Sequence, residues 1–140
     1  MKKKKLTQPQ KAKLRTASRE FPEKYFVDLP TGVRGKRWLA TSNRYREHCL
    51  SRFKKDTKPT GTLQQDQIAK YVSASAPAHA IDGWSFLGRA VDATLRGDRG
   101  SAVFFGYYAE LRAAMALMAA EGLGVLNDKH PVITSTGTAD

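Results

Sequence analysis

With 140 residues, 24 Lys and Arg against 13 Asp and Glu, and a net charge of +11, the chain is about one domain long and belongs with binders of polyanions. Its lone Cys49 excludes an internal disulfide and a thiolate metal cluster, and points to a reducing, cytoplasmic compartment. No apolar stretch follows the lysine run at 2–5, and Glu110, Arg112 and Glu121 interrupt the most apolar window, 101–126, so neither export nor a membrane span is expected.

The positive charge is concentrated in one half. Residues 1–60 hold 18 basic and 5 acidic side chains, whereas residues 61–140 hold 6 basic and 8 acidic ones. Residues 1–20 are lysine-rich and carry few large apolar groups, which predicts a flexible, disordered basic arm. Residues 21–60 form a basic segment. In its first part Phe21, Tyr25, Phe26, Val27 and Leu29 are broken up by Pro22, Pro30, Gly32 and Gly35, which suits extended or turn structure. One helix is expected from Ser42 to Lys55, with Ser42 as its cap and Tyr45, Cys49, Leu50 and Phe53 on its apolar stripe. The run Lys58-Pro59-Thr60-Gly61 then ends the helix and forms a hinge.

Residues 61–126 are expected to form a helical hairpin core. Thr62 and Gln65 make a capping-box pattern for a short helix up to about Ser73. Ser75 before Pro77 opens a second helix, with Ile81, Trp84, Leu87, Val91 and Leu95 as its apolar stripe and Gly97 at its end. After Asp98, with Ser101 as candidate cap, a long helix carries Phe104, Tyr108, Leu111, Met115 and Met118 to a stop at Gly122. Its many alanines favour helix and close packing. Residues 127–140 read as a polar tail, frayed from Thr134. The predicted fold is all-α: a small helical bundle built on a long antiparallel hairpin, with the basic arm in front.

Gly88-Arg89-Ala90, Leu95-Arg96-Gly97-Asp98, Ala102, Tyr107-Tyr108-Ala109, Ala113-Ala114, Leu117, Gly122 and Lys129-His130-Pro131-Val132-Ile133 together resemble the first helical hairpin of HEPN-type domains, over roughly residues 81–133. The resemblance implies an all-helical domain of the kind found in prokaryotic toxins, RNases and antiviral systems. Catalytic members of that family share an Arg-x(4 to 6)-His motif, which this sequence lacks. Only three residues separate Arg44 from His48, and neither His79 nor His130 follows an arginine at the required distance. The resemblance also implies further helices to close the bundle: either residues 36–74 supply them, or the chain is part of a larger assembly or a shortened relative.

Chemical signals are sparse. His48, His79 and His130 are dispersed and lack the companions of a metal site, so no metal, cofactor or catalytic residue is assigned. Arg44 and His48 are the one geometrically possible acid–base pair on a predicted helix face. Glu110 and Arg112 stand in an otherwise apolar helix and are expected on its solvent edge. Trp84 and the Phe104, Phe105, Tyr107, Tyr108 cluster are expected in the core or on a helix-pairing surface. The basic segment supplies the candidate phosphate partners Lys36, Arg37, Arg44, Arg46, Arg52, Lys54 and Lys55, with Trp38 and Tyr45 as candidate stacking groups. Three readings follow: a non-catalytic module binding RNA or DNA without base specificity, an interaction or self-associating subunit using the Ala-rich long helix, and a HEPN-type RNase with a composite site.

Overall fold

The structure, a computed structural model, describes residues 5–29 and 38–139; Lys36 and Arg37 lie outside them. Five helices follow one another: α1 (Gln8–Leu14), α2 (Glu20–Asp28), α3 (Cys49–Asp56), α4 (Gln65–Leu95) and α5 (Arg99–Ala120). The fold is all-helical, and the closely packed hairpin of α4 and α5 dominates it.

The N-terminal arm is helical over α1, where Thr7 and Gln10 cap each other reciprocally and leave no residue buried. The first part of the segment expected to be extended folds as α2, while its residues 30–37 lie outside the described ones. Pro22 falls in its first turn, where a missing N–H leaves no carbonyl unpaired, and that proline is buried.

The expected helix from Ser42 begins only at Cys49. The Asn43 side chain explains the delay: its carbonyl oxygen accepts the Tyr45 N–H and its amide donates to the Gln67 carbonyl, each at 2.8 Å. These bonds offer the backbone a turn in place of a helix. His48 then enters α3 with φ of 54°.

No break separates the two helices expected at 62–73 and 75–97. α4 runs 31 residues through Pro77, about 46 Å of helix. Ser75 is not a cap, since its hydroxyl donates to the Val72 carbonyl at 2.6 Å. The residues before the proline, Ser73, Ala74 and Ala76, are buried. Nor does Thr62 cap its start; the Gln64 N–H instead reaches the Tyr45 hydroxyl at 3.3 Å. At the far end Gly97 turns the chain with φ of 75°. Asp98, not Ser101, caps α5 by accepting the Ser101 N–H at 3.0 Å.

The core sits at the base of the hairpin. Tyr45, Cys49 and Phe53 meet Ile68, Ala69 and Val72 of α4, Ala119 of α5, and Ile133 and Ala139 from the C-terminal segment. That segment is not frayed up to Ala139. It forms isolated antiparallel bridges, Leu123 with Val132 and Ile133 with Ala139, and Ile133 is fully buried. The Ser18 N–H donates to the Ile133 carbonyl at 3.0 Å, so the segment also closes on the start of the folded body.

Beyond the core the two long helices touch along a seam of small residues. Gly83, Ala90 and Ala93 of α4 and Ala109 of α5 are buried there. The predicted stripe of large apolar residues faces away from this seam: Trp84 is 74% exposed and Leu95 82% exposed. Alanine and glycine let the two helices approach closely there, Phe86 of α4 meets Phe105 and Tyr108 of α5 with ring centroids 6.3 and 5.4 Å apart, and the predicted stripe is left pointing outward.

Candidate functional site

Three features compete as the functional site: the basic base, a pocket at the root of the hairpin, and the outer face of the hairpin. Three of the five candidate phosphate partners among the described residues have structural work. Arg44 forms a two-pronged ion pair with the buried Asp56, both N–O distances 2.9 Å. Arg52 donates to the Arg44 backbone carbonyl, and Lys54 pairs with Asp128 at 2.9 Å. Tyr45 is fully buried, its hydroxyl donating to Asp56 at 2.9 Å; it has no face on which a base can stack, and its expected stacking role is corrected to a structural one. Arg46 and Lys55 remain exposed, and Trp38 is half-buried.

The Arg44 guanidinium hydrogen-bonded to Asp56, assisted by the Tyr45 hydroxyl, holds that carboxyl below the usual carboxylate range. Burial, followed by the bond to Asp56, pushes the Tyr45 phenol up to about 12. A carboxyl with a depressed folded-state pKa contributes stability that is present above its unfolded value of about 4 and is lost as pH falls through the folded value. The melting temperature is therefore expected to hold from neutral pH to about 5 and to drop below about 4. Asp98 and Asp128 are depressed as well, by bonds from Ser101 and Lys54, so Asp56→Asn should flatten the acid-side slope without abolishing it. An unchanged slope in that variant contradicts the network.

Arg44 and His48 no longer share a helix, since Arg44 lies in the turn before α3 and His48 precedes its first residue. The structure instead brings together a histidine and an arginine 33 positions apart. Arg112, on the α5 seam and not on its solvent edge, donates to His79 Nδ1 at 3.0 Å and lies 3.8 Å from Asp82. Burial first, then the adjacent guanidinium, lowers the His79 pKa, so the ring is neutral near pH 7 and its proton sits on Nε2. His79 and Asp82 help to line a cavity of about 390 Å³ that Trp38, Arg46, Tyr71 and Leu126 also border. Two candidate nucleic-acid residues, Trp38 and Arg46, thus meet at one pocket. Cys49 is buried beside Tyr71 and its thiol is pushed up to about 11 by that burial, which leaves it protonated and poorly nucleophilic.

The third feature is the largest. Pro77, Ala80, Trp84 and Leu87 of α4 face Ala113, Leu117 and Ala120 of α5 across an open groove, and Glu110 is the one charged residue lining it. Val91 and Leu95 continue the row on α4 by helical spacing, and Val103 continues it on α5; Val103 is 74% and Leu117 71% exposed. Phe104 and Tyr107 are also more than half exposed but lie outside the groove. The sequence signal for this face was the Ile81, Trp84, Leu87, Val91, Leu95 periodicity, whose outward direction only the seam of small residues reveals.

Among the described residues, no group of three or more His, Cys, Asp or Glu is placed to hold a metal ion, and no helix is long and apolar enough to cross a membrane. No protein-family model, curated protein or solved structure matches the chain.

Proposed function

We propose that this chain is a non-catalytic helical interaction module whose α4–α5 hairpin seats another helical surface along its apolar groove. One observation carries the reading. The groove is lined almost wholly by apolar side chains, with Glu110 its one charged residue, and Trp84 and Leu117 within it are 74% and 71% exposed, the kind of uncovered apolar surface that marks an interaction site. From the HEPN-type resemblance of residues 81–133 we further propose that such a module serves a prokaryotic defence or toxin-type assembly. The test uses tryptophan fluorescence. In a Trp38→Phe background Trp84 is the sole remaining tryptophan, and its quenching by iodide is expected to fall as the interaction surface becomes occupied at rising protein concentration or on adding a stoichiometric partner. Full quenching under all of those conditions overturns the reading.

A second function is favoured by where the charge lies. The described residues up to Gln64 carry twelve basic and five acidic side chains, whereas α4 through α5, residues 65–120, carry five of each. We infer that the base contacts the phosphates of RNA or DNA without base specificity, with Arg46 and Lys55 as its exposed partners and Trp38 beside Arg46. Binding to single-stranded RNA is expected to weaken steeply with salt and to leave the RNA intact. The double variant Arg46→Gln, Lys55→Gln should lower the slope of log affinity against log salt by about one per lost contact. An unchanged slope excludes these two cations.

A further inference from the structure

We infer that the occupant of the hairpin groove is a second copy of this chain, related by a two-fold axis, so that two hairpins close into a four-helix bundle. The inference rests on the interaction reading above and names its partner. In a two-fold pair one surface must supply both the projections and the recesses that receive them. This face has both. Trp84, Leu87 and Leu117 stand out from it, and between them Ala80, Gly83 and Ala113 leave a floor with little side-chain volume. A partner that brought only a flat or only a ridged surface would leave one of the two unmatched.

The dimensions fit as well. The free stretch of α4 from Pro77 to Leu95 is about 28 Å long, and two helices side by side are about 18 Å across. Each copy therefore offers on the order of 500 Å², and a pair covers about 1,000 Å² before side-chain relief is counted, which reaches the size of a specific interface. Electrostatics do not oppose it. The chain's excess positive charge lies toward the base, so two faces can meet without bringing the basic surfaces into register, and among the residues that line the groove Glu110 is the single charged one. An exposed tryptophan beside small residues is also the composition that concentrates binding energy at interface centres.

The experiment is light scattering after size exclusion on the full chain at several concentrations, with circular dichroism and binding of an apolar-surface dye on the same samples. The expected result is a mass twice the 15.5 kDa of one chain. Trp84→Ala removes the projection and Ala113→Trp fills the recess; both side chains are exposed in one chain, so helical content should stay unchanged while the dissociation constant rises by roughly 30-fold or more in each. A dimer that both variants leave intact overturns the inference, because its interface then lies elsewhere. A wild-type monomer that binds the dye and leaves Trp84 quenchable overturns self-pairing alone and keeps the groove free for a different protein. A monomer with no dye binding and a shielded Trp84 overturns the interaction reading along with it.

Discussion

Truncating Tyr45 to alanine is expected to lower the unfolding free energy by about 4 kcal/mol, a large share of what a domain of this size possesses. The ring fills the centre of the core with no exposed surface, so its removal leaves a cavity between α3 and α4. Its hydroxyl adds a second effect. It donates to Asp56 and accepts the Gln64 N–H at the start of α4, so one oxygen joins the Arg44–Asp56 pair to the beginning of the longest helix. Tyr45→Phe keeps the packing and removes only that oxygen, for which about 1–2 kcal/mol is expected. Chemical denaturation of both variants separates the two contributions. If Phe is as damaging as Ala, the hydrogen-bond network and not the ring dominates; if Ala costs under about 1 kcal/mol, the residue is not central to the core.

The second large effect is expected at Gly122. Its φ is 81°, and an added Cβ would lie 2.6 Å from the Ser18 carbonyl oxygen and 2.8 Å from that of Ile133. Neither oxygen can swing aside, because both belong to backbone and the Ser18 and Ile133 segments are bonded to each other. Gly122→Ala therefore meets the left-handed backbone cost of about 1–2 kcal/mol and must in addition push two strands of chain apart, for a total of about 3 kcal/mol or more. Gly97 provides the control. It has a similar φ of 75° but nothing within 4 Å of the added carbon, so Gly97→Ala should cost only about 1 kcal/mol. Equal losses at the two positions would show that crowding around Gly122 contributes nothing.

These two residues also illustrate what the sequence discloses. The ends of the hairpin helices were legible because their signals are local: Gly97 and Gly122 each follow an apolar helix and stop it, and Asp98 carries a carboxylate suited to a cap. The inner side of α4 was not. Large apolar residues at helical spacing ordinarily mark the buried face, yet here Gly83, Ala90 and Ala93 are buried and Trp84 and Leu95 are exposed. Hydrophobic periodicity weighs side chains by size, whereas close helix contact rewards the smallest ones. The continuity of α4 was hidden for a related reason, since Pro77 breaks an isolated helix but is carried by buried neighbours. As to the candidate sites, the positive charge of residues 1–60 was plain, but which cations stay available was not. Arg44 is committed to an acid twelve positions away, and Lys54 to one on the far side of the hairpin. His79 and Arg112 meet only because the turn at Gly97 sets the register of two long helices.

The contact between Ser18 and Ile133 has a consequence for how the chain reaches this state during synthesis. The α4–α5 hairpin is made from neighbours in sequence and can form as soon as its residues leave the ribosome. The core at its base cannot, because Tyr45, Cys49 and Phe53 wait for Ile133 and Ala139, some eighty residues or more downstream. At translation rates of about 5–20 residues per second, the 13 to 19 residues between the end of α5 at Ala120 and Ile133 or Ala139 take about one to four seconds, during which an assembled hairpin stands on an unfinished foundation. During that interval the apolar groove is already displayed, before the core beneath it has closed.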